Sequence, residues 1–235
     1  MSMSGRKNGL VIAIDGPSGA GKSTIAGQLA AMLGYVQIDT GAMYRAVAYL
    51  ISQAGFDPAD NAQLKDFCAD VDVRLEQVNG MQRVIANGQD VTAVIRTPEM
   101  SLMTSRISAL QPVREAMVRA QRAMGRLGGV VLEGRDIGTV VFPDADLKFF
   151  LSATTEERGR RRYAELITKG EQVTLEETIA AVALRDEQDT RRELSPLIQA
   201  DDAIMIDSSC LSIEQVLHRM ASHVREKSAQ IGTII

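Results

Sequence analysis

The residues best suited to chemistry form the run Gly16-Pro17-Ser18-Gly19-Ala20-Gly21-Lys22-Ser23, which fits the spacing G-x-x-x-x-G-K-[ST]. Glycines allow a backbone to fold around an anion, so that successive N–H groups point inward. We expect Lys22 to reach the β- and γ-phosphates of a nucleoside triphosphate and the Ser23 hydroxyl to bind Mg²⁺. The pattern alone does not separate kinases from GTPases, motor ATPases or transporters.

The segments on either side of this loop support the prediction of a phosphate site. Residues 10–14 are apolar and mostly β-branched, which is typical of a buried strand. Residues 24–33 are rich in Ala, Leu and Gln, which indicates a helix. The start of that helix would add free N–H groups and the positive end of its dipole to the loop.

Further apolar runs that could form strands recur along the chain, with helical patterns between them. These runs are residues 35–38, 130–132, 147–151 and 203–206. The alternation favours a parallel sheet covered by helices on both faces, in which ligands collect at the carboxyl ends of the strands. Most of the runs end in or beside a polar residue, such as Asp39, Glu133 or Asp207, as that rule expects.

One stretch breaks the alternation, and it predicts a small antiparallel sheet inserted over residues 66–97. This sheet would combine the runs 71–75, 83–86 and 91–95 with turns at Asn79-Gly80 and Asn87-Gly88. A helical pattern returns over residues 101–125, with a helix start marked by Pro112. A last helix is predicted from the N-cap Ser212 to about Lys227.

Length and composition describe a single α/β domain with an elaboration. The chain has 235 residues, of which 45% are hydrophobic and 24% charged, as in soluble globular proteins. A net charge of −4 favours neither nucleic acid nor membrane, so anions must be bound by local clusters. Cys68 and Cys210 fit no metal or redox spacing, which indicates reduced thiols in a cytoplasmic protein. Residues 1–9 are predicted to be a frayed tail rather than a signal peptide.

Arginines beyond the loop indicate what is done with the triphosphate. Arg45 follows the second predicted strand, and Arg135-Asp136 lies between glycines after another strand. Two further basic clusters fall within residues 158–162 and 185–192. For these two, a solvated helix face with i,i+4 charge pairs is an equally good interpretation. The four arginines of residues 158–162 repel one another, however, which favours closure over anions.

This supply of arginine favours phosphoryl transfer to a second phosphate group. The transferred group spreads its charge over its oxygens, so catalysis is mainly positioning and neutralisation. A phosphate monoester has a second pKa near ~6, so it is mostly dianionic at neutral pH and needs no general base. His218 and His223 lie in the predicted last helix and look structural, which fits such an acceptor, although an Asp could still serve as a base.

Together these residues resemble the bacterial-type cytidylate kinases, which are P-loop nucleoside monophosphate kinases, over nearly the whole chain. The matching segments are residues 14–23, 39–45, 133–145 and 185–192. The resemblance implies a three-layer α/β P-loop kinase fold with a central parallel sheet, a small antiparallel β-rich inserted lobe that binds the acceptor, and a helical lid. It implies one kinase domain over residues 1–235, with 66–97 in the CMP-binding lobe and 153–170 as the lid.

The resemblance also implies the reaction ATP + (d)CMP ⇌ ADP + (d)CDP, with ATP and Mg²⁺ on the glycine loop and CMP or dCMP as the acceptor. ATP would be bound by Gly16, Pro17, Ser18, Gly19, Ala20, Gly21, Lys22, Ser23 and Thr24, with Ser23 as the metal ligand. Catalysis would depend on Lys22, Arg135, Arg158 and Arg162, and Arg161 could share the lid role. The acceptor phosphate would be held by Arg45, Arg135 and Arg192, the cytosine by Ser105, Arg114 and Asp136, and the sugar side by Arg185 and Asp189. Thr40 completes the implied acceptor residues.

The cytosine-reading set is chemically sensible. The N4 amino group of cytosine can donate a hydrogen bond to the Asp136 carboxylate. Uracil has an oxygen acceptor at the same position, and the carboxylate would repel it. This set argues against a UMP or AMP kinase, the lack of an [NT]-K-x-D motif argues against a regulatory GTPase, and the net charge of −4 gives little support to a nucleic-acid-associated ATPase. Members of the family are generally monomers, so we expect a monomer with no nucleic-acid or membrane partner.

Overall fold

A computed structural model of the chain describes residues 6–78 and 81–232. The strands in these residues are β1 (Val11–Asp15), β2 (Val36–Asp39), β3 (Val73–Val78), β4 (Met81–Ala86), β5 (Gln89–Asp90), β6 (Val130–Gly134), β7 (Leu147–Ser152) and β8 (Ile204–Asp207). The α-helices are α1 (Lys22–Leu33), α2 (Thr40–Ala54), α3 (Asn61–Asp70), α4 (Pro98–Ile107), α5 (Gln111–Gly125), α6 (Thr155–Thr168), α7 (Leu175–Arg191) and α8 (Ile213–Ile231). A short π-helical turn spans Ile137–Val141.

The chain divides into two compact units. The first holds the described residues up to Gln37 and from Gly125 onward, and the second is Ile38–Met124. Every helix in the described part of the chain is too short or too polar to cross a membrane.

The first unit is built on a parallel sheet with the strand order β2-β6-β1-β7-β8. β1 pairs in parallel with β6 and with β7, and β7 pairs in parallel with β8. All five residues of β1 are buried, which explains why its sequence is continuously apolar rather than alternating. Asp15 ends β1 opposite Gly134, and Ile14 lies opposite Glu133, so these polar ends share one edge of the sheet. The predicted parallel sheet is confirmed, with its five strands close to the expected runs.

Helices α1 and α8 cover this sheet and complete the core of the first unit. The buried cluster includes Ile12 and Ile14 of β1, Leu29 of α1, Phe149 of β7 and Met220 of α8. Ser212 caps α8, as predicted, through its side chain, which accepts a hydrogen bond from the Gln215 amide. The helix continues to Ile231 rather than ending near Lys227, because a left-handed glycine that stops it comes only at Gly232.

The second unit combines α2–α5 with an antiparallel sheet of order β3-β4-β5. The predicted turn at Asn87-Gly88 is confirmed, since both residues have positive φ, at 46° and 81°. The other predicted turn, Asn79-Gly80, lies outside the described residues. The sheet is smaller than expected at both ends. Residues 66–70 belong to α3, and residues 91–95 form turns whose apolar Val91 and Ile95 are fully buried without joining a strand.

The helical pattern of residues 101–125 divides into α4 and α5, and the predicted helix start at Pro112 is confirmed, because α5 begins at Gln111. Pro112 favours the break, because proline lacks the N–H group that a continuous helix would use to bond to the carbonyl four residues earlier. In the first turn of α5 that missing donor costs nothing.

The N-terminal segment contradicts the prediction of a frayed tail as far as it is described. Arg6 forms ion pairs with Asp144 at 2.8 Å and with Asp146 at 2.6 Å. The Asn8 amide donates to the Leu127 carbonyl at 2.8 Å. Polar composition suggested disorder, but these polar groups find partners far along the chain. Residues 1–5 of the predicted tail lie outside the described residues.

The packing of the core predicts that two neighbouring phenylalanines of β7 contribute unequally to the free energy of unfolding. Phe149 is 1% exposed and packs in the core cluster, whereas Phe150, on the opposite face of the strand, is only half-buried. Phe149→Ala should lower the free energy of unfolding by about 3–5 kcal/mol, because it leaves a cavity. Phe150→Ala should cost clearly less. Urea denaturation followed by circular dichroism measures both losses, and an equal or smaller loss for Phe149→Ala would contradict this description of the core.

Candidate active site

The glycine loop joins β1 to α1 at the carboxyl edge of the sheet. Gly16 has φ of 148° and lies so close to the Leu151 carbonyl that no side chain would fit. Gly21, with φ of 93°, precedes α1 and offers no side chain to cap it. The first amides of α1 are therefore not occupied by a capping side chain, which is the arrangement that binds phosphate at a helix N-terminus.

Lys22 is buried in this loop, and charged groups of both signs lie near it. Its ammonium group donates a hydrogen bond to the Pro17 carbonyl at 2.7 Å. Burial and the nearby Arg135 lower the pKa of Lys22 well below its ordinary value, against the opposing effect of the carboxylates of Glu133 and Asp15. The phosphates of a nucleotide would favour the charged form of Lys22, since they add anionic charge at the loop.

Glu133 is a functional candidate to which the sequence analysis gave no role. It is buried at the end of β6, and its Oε2 accepts a hydrogen bond from the Ser23 hydroxyl at 2.7 Å. A carboxylate and a hydroxyl that meet beside a phosphate loop are the oxygen ligands that Mg²⁺ prefers. The residues therefore fit a magnesium ion. The feature that could have identified Glu133 is its position at the end of an apolar run, in the strand that neighbours β1 in the sheet.

Asp15 is a second candidate that the sequence analysis missed. Its carboxylate is 5% exposed and accepts hydrogen bonds from the amides of Ile137 at 2.8 Å and Gly138 at 2.7 Å. Burial raises the pKa of the Asp15 carboxyl to about 6, although the two amide hydrogen bonds lower it. Asp15 thereby ties the strand before the phosphate loop to the segment that directly follows Arg135 and Asp136.

Four of the predicted acceptor-binding residues meet in the first unit. Asp189 forms an ion pair with Arg135 at 2.8 Å and a longer one with Arg192 at 3.6 Å. Burial opposes ionisation of Asp189, but the charges of Arg135, Arg192 and Arg185 outweigh it and hold the pKa of this carboxyl below its ordinary value. Three guanidinium groups around one carboxylate leave an excess of positive charge, which suits an anionic ligand.

The arginines of α6 contact both the phosphate loop and acidic neighbours. Arg158 is 4% exposed, donates to the Ser18 carbonyl at 3.0 Å and pairs with Asp186 of α7 at 2.6 Å. Arg158 thus links α6, α7 and the loop. Arg162 pairs with Glu165 at 2.8 Å, in the manner of a solvated helix face.

Arg161 extends these contacts to the segment after β8. It pairs with Glu157 one turn earlier and donates to the Ser208 carbonyl at 2.7 Å. The Ser208 hydroxyl lies between two carbonyl oxygens that can accept its proton, that of Ala20 in the phosphate loop at 3.3 Å and that of Ser152 at 3.0 Å. Cys210, two residues further on, is exposed, whereas Cys68 in the second unit is buried.

Of the other predicted acceptor-binding residues, Asp136 is buried just after β6 in the first unit, and the remaining four lie in the second unit. Arg45 pairs with Asp39 at 3.2 Å, and Asp39 also caps α2. Arg114 is buried, donates to the Ser108 carbonyl at 3.3 Å and places its guanidinium group 5.9 Å from the ring centre of Tyr44. Thr40 is the buried first residue of α2, and Ser105 lies on α4. Both arginines are thus oriented by neighbours within their own unit.

Comparisons with known proteins agree with this geometry. A gluconokinase from Sinorhizobium meliloti 1021 shares the fold, with a TM-score of 0.51 and 13% identity over 96% of this chain and 97% of that chain. With the phosphate loop at the carboxyl edge of a parallel sheet, this fold defines a P-loop nucleotide-binding protein.

Comparison of the sequence with its relatives identifies the family of this chain, whereas the structural likeness shows the fold alone. The family model for cytidylate kinase matches residues 12–226. A cytidylate kinase from Geobacter sulfurreducens is 63% identical over 227 residues, covering 97% of each chain. Another, from Caldicellulosiruptor bescii, is 47% identical over 209 residues, covering 89% of this chain and 92% of the relative. The chain belongs to the cytidylate kinase family, which confirms the resemblance seen in the sequence.

The buried Asp15 predicts a defined dependence of stability on pH. Its pKa is about 6 in the folded chain against an ordinary 3.8, so the folded state retains a proton that the unfolded state loses as the pH rises between these values. The free energy of unfolding should fall by about 3 kcal/mol through this group over that interval and stay level above it.

Urea denaturation at several pH values between about pH 4 and pH 7 measures this fall. Asp15→Asn, which does not titrate, should lack that part of the slope. Parallel pH profiles for the native chain and Asp15→Asn would contradict the raised pKa.

Proposed function

We propose that this chain transfers the γ-phosphoryl group of ATP to CMP or dCMP and forms ADP with CDP or dCDP. The observation that carries the proposal is the pairing of a phosphate loop with a cluster of three arginines in a member of the cytidylate kinase family. The loop accounts for a triphosphate donor, and the arginines account for an acceptor that is itself a phosphate.

The donor would lie on residues 16–24, with its phosphates against the loop amides and the N-terminus of α1. Lys22 would leave the Pro17 carbonyl and turn to the β- and γ-phosphates. Arg158 and Arg162 of the proposed lid, residues 153–170, would neutralise charge on the transferred group. Closure of such a lid excludes water, which would otherwise accept the phosphoryl group.

Ser23 and Glu133 are the residues that would hold Mg²⁺ in the proposed reaction. When bound, the ion would neutralise charge on the phosphate oxygens of ATP. Glu133 is buried, and its carboxylate raises the pKa of the nearby Lys22, against the larger effect of burial. The sequence analysis named Ser23 alone, and Glu133 extends that proposed site.

The acceptor would be bound through its phosphate, base and sugar by separate groups. The acceptor phosphate would be held by Arg45, Arg135 and Arg192. The cytosine would be held by Ser105, Arg114 and Asp136, and the sugar by Arg185 and Asp189. Thr40 is proposed as a further contact to the acceptor. Because the acceptor phosphate is already a dianion, the step needs positioning of two anions rather than a general base. We further propose that the chain acts as a cytoplasmic monomer on small molecules, without nucleic-acid or membrane partners.

A panel of acceptors tests the proposed function directly. ADP release from ATP and Mg²⁺ should be fast with CMP and dCMP, and at least tenfold slower in kcat/KM with UMP, AMP and GMP. A discrimination of that size corresponds to ~1.4 kcal/mol in the transition state. ATP consumption that needs no monophosphate, or an equal rate with all five acceptors, would sink the proposal.

Asp136 provides a test of base recognition. Asp136→Asn replaces an acceptor that suits the cytosine N4 amino group by an amide that can donate to the uracil carbonyl. The ratio of kcat/KM for CMP over UMP should fall by ~1–3 kcal/mol, which is about 5- to 150-fold, mainly through KM for CMP. Asp201→Asn, on an exposed acid, serves as the control. An unchanged ratio in Asp136→Asn would remove this residue from base recognition.

A further inference from the structure

We propose that Gln37 is a positioning residue that orients the Glu133 carboxylate for the divalent cation. This inference rests on the proposed function, in which Glu133 and Ser23 hold Mg²⁺ beside the donor phosphates. Gln37 lies on β2, which neighbours β6 in the sheet and therefore runs beside the strand that ends in Glu133. All of the residues concerned belong to the first unit.

The contacts of the Gln37 amide form a closed network with the proposed ligands. Its Nε2 donates to Glu133 Oε1 at 3.0 Å and to the Ser23 backbone carbonyl at 3.1 Å. The other carboxylate oxygen, Oε2, accepts from the Ser23 hydroxyl at 2.7 Å. One amide group thus contacts both proposed metal-holding residues, and each oxygen of the Glu133 carboxylate has its own donor.

Gly27 supplies the space in which the Gln37 amide lies. Gly27 is within α1, where glycine is a poor helix former compared with alanine. A Cβ atom added there would meet Gln37 Oε1 at 2.9 Å, and the other close atoms are Cδ and Nε2 of the same side chain. The position of the amide therefore gives a physical reason for a glycine in the middle of a helix.

The chemical type of Gln37 suits a group that must orient a metal ligand without competing with the metal. A glutamate side chain has several rotatable bonds, so a carboxylate on it needs hydrogen bonds to hold one orientation. A lysine or arginine at this position would neutralise the Glu133 charge, whereas a neutral amide leaves it available to a cation. Outer partners of this kind typically change metal affinity by ~10–100-fold when they are removed.

The test measures binding of Mn²⁺ to the full-length chain in the presence of ADP, by electron paramagnetic resonance, so that no turnover is needed. Gln37→Met keeps the length of the side chain and removes both hydrogen bonds. The Kd of Mn²⁺ should rise ~10-fold, while the affinity for ADP in EDTA stays as in the native chain. Gln28→Met makes the same change at an exposed position of α1 and should leave both constants unchanged.

Two further variants separate positioning from a merely structural effect. Gly27→Ala should displace the Gln37 amide without altering it, so the Kd of Mn²⁺ should rise in the same direction while α1 is not weakened. In a Glu133→Gln background, Gln37→Met should have little additional effect, because Gln37 is proposed to act through Glu133.

The outcomes of these measurements are distinct from those of the acceptor panel. Native Mn²⁺ affinity in Gln37→Met, or a full additional loss in the Glu133→Gln background, would overturn the role of Gln37 even if CMP is phosphorylated. A chain that fails the acceptor panel but shows the predicted shifts would refute the substrate and leave the cation site standing.

Discussion

Burial of charge at one edge of a parallel sheet is the constraint on which the rest of this molecule depends. Asp15, Lys22, Glu133 and Asp136 are all at most 6% exposed, although charged groups are costly to remove from water. Hydrogen bonds offset that cost, since Asp15 accepts from backbone amides, Glu133 accepts from a hydroxyl and a side-chain amide, and Lys22 donates to a backbone carbonyl. Carbonyls and carboxylates of the chain itself contact the cationic groups of Lys22, Arg135 and Arg158.

This constraint explains why the site is built from strand ends and helix starts. Strands β1 and β6 are buried along their whole length, so polar groups can only come where each strand ends. Asp15 and Glu133 follow apolar runs for that reason, and each reaches a group on a neighbouring segment. The bonds of Asp15 to the amides after Asp136 tie the start of the π-helical turn to the end of β1.

Local sequence was sufficient for much of this architecture, because the relevant signals are short in range. The glycine loop, the apolar strands and the Ser212 cap each depend on residues within a few positions of one another. The errors arose where tertiary contacts override local pattern. The apolar Val91 and Ile95 are buried in turns rather than in a strand, and Arg6 is ordered by acids about 140 positions away.

Glu133, Asp15 and Gln37 were missed for the same reason. Their roles depend on hydrogen bonds that join residues about one hundred positions apart, and no local pattern reports such a pairing. Their residue types carried a weak signal, since a polar residue at the end of a buried strand needs a partner. Which partner it finds is decided by strand order, which the sequence alone left open.

The two cysteines give the molecule a ready attachment point for a reporter dye. Cys210 is exposed, whereas Cys68 is buried and burial raises the pKa of its thiol, so a maleimide should modify the former selectively. Because Cys210 follows the serine that joins Arg161 to the phosphate loop, a fluorophore there would sense rearrangement of α6 in real time. Any such rearrangement could thus be followed on the native sequence, without engineering a label site.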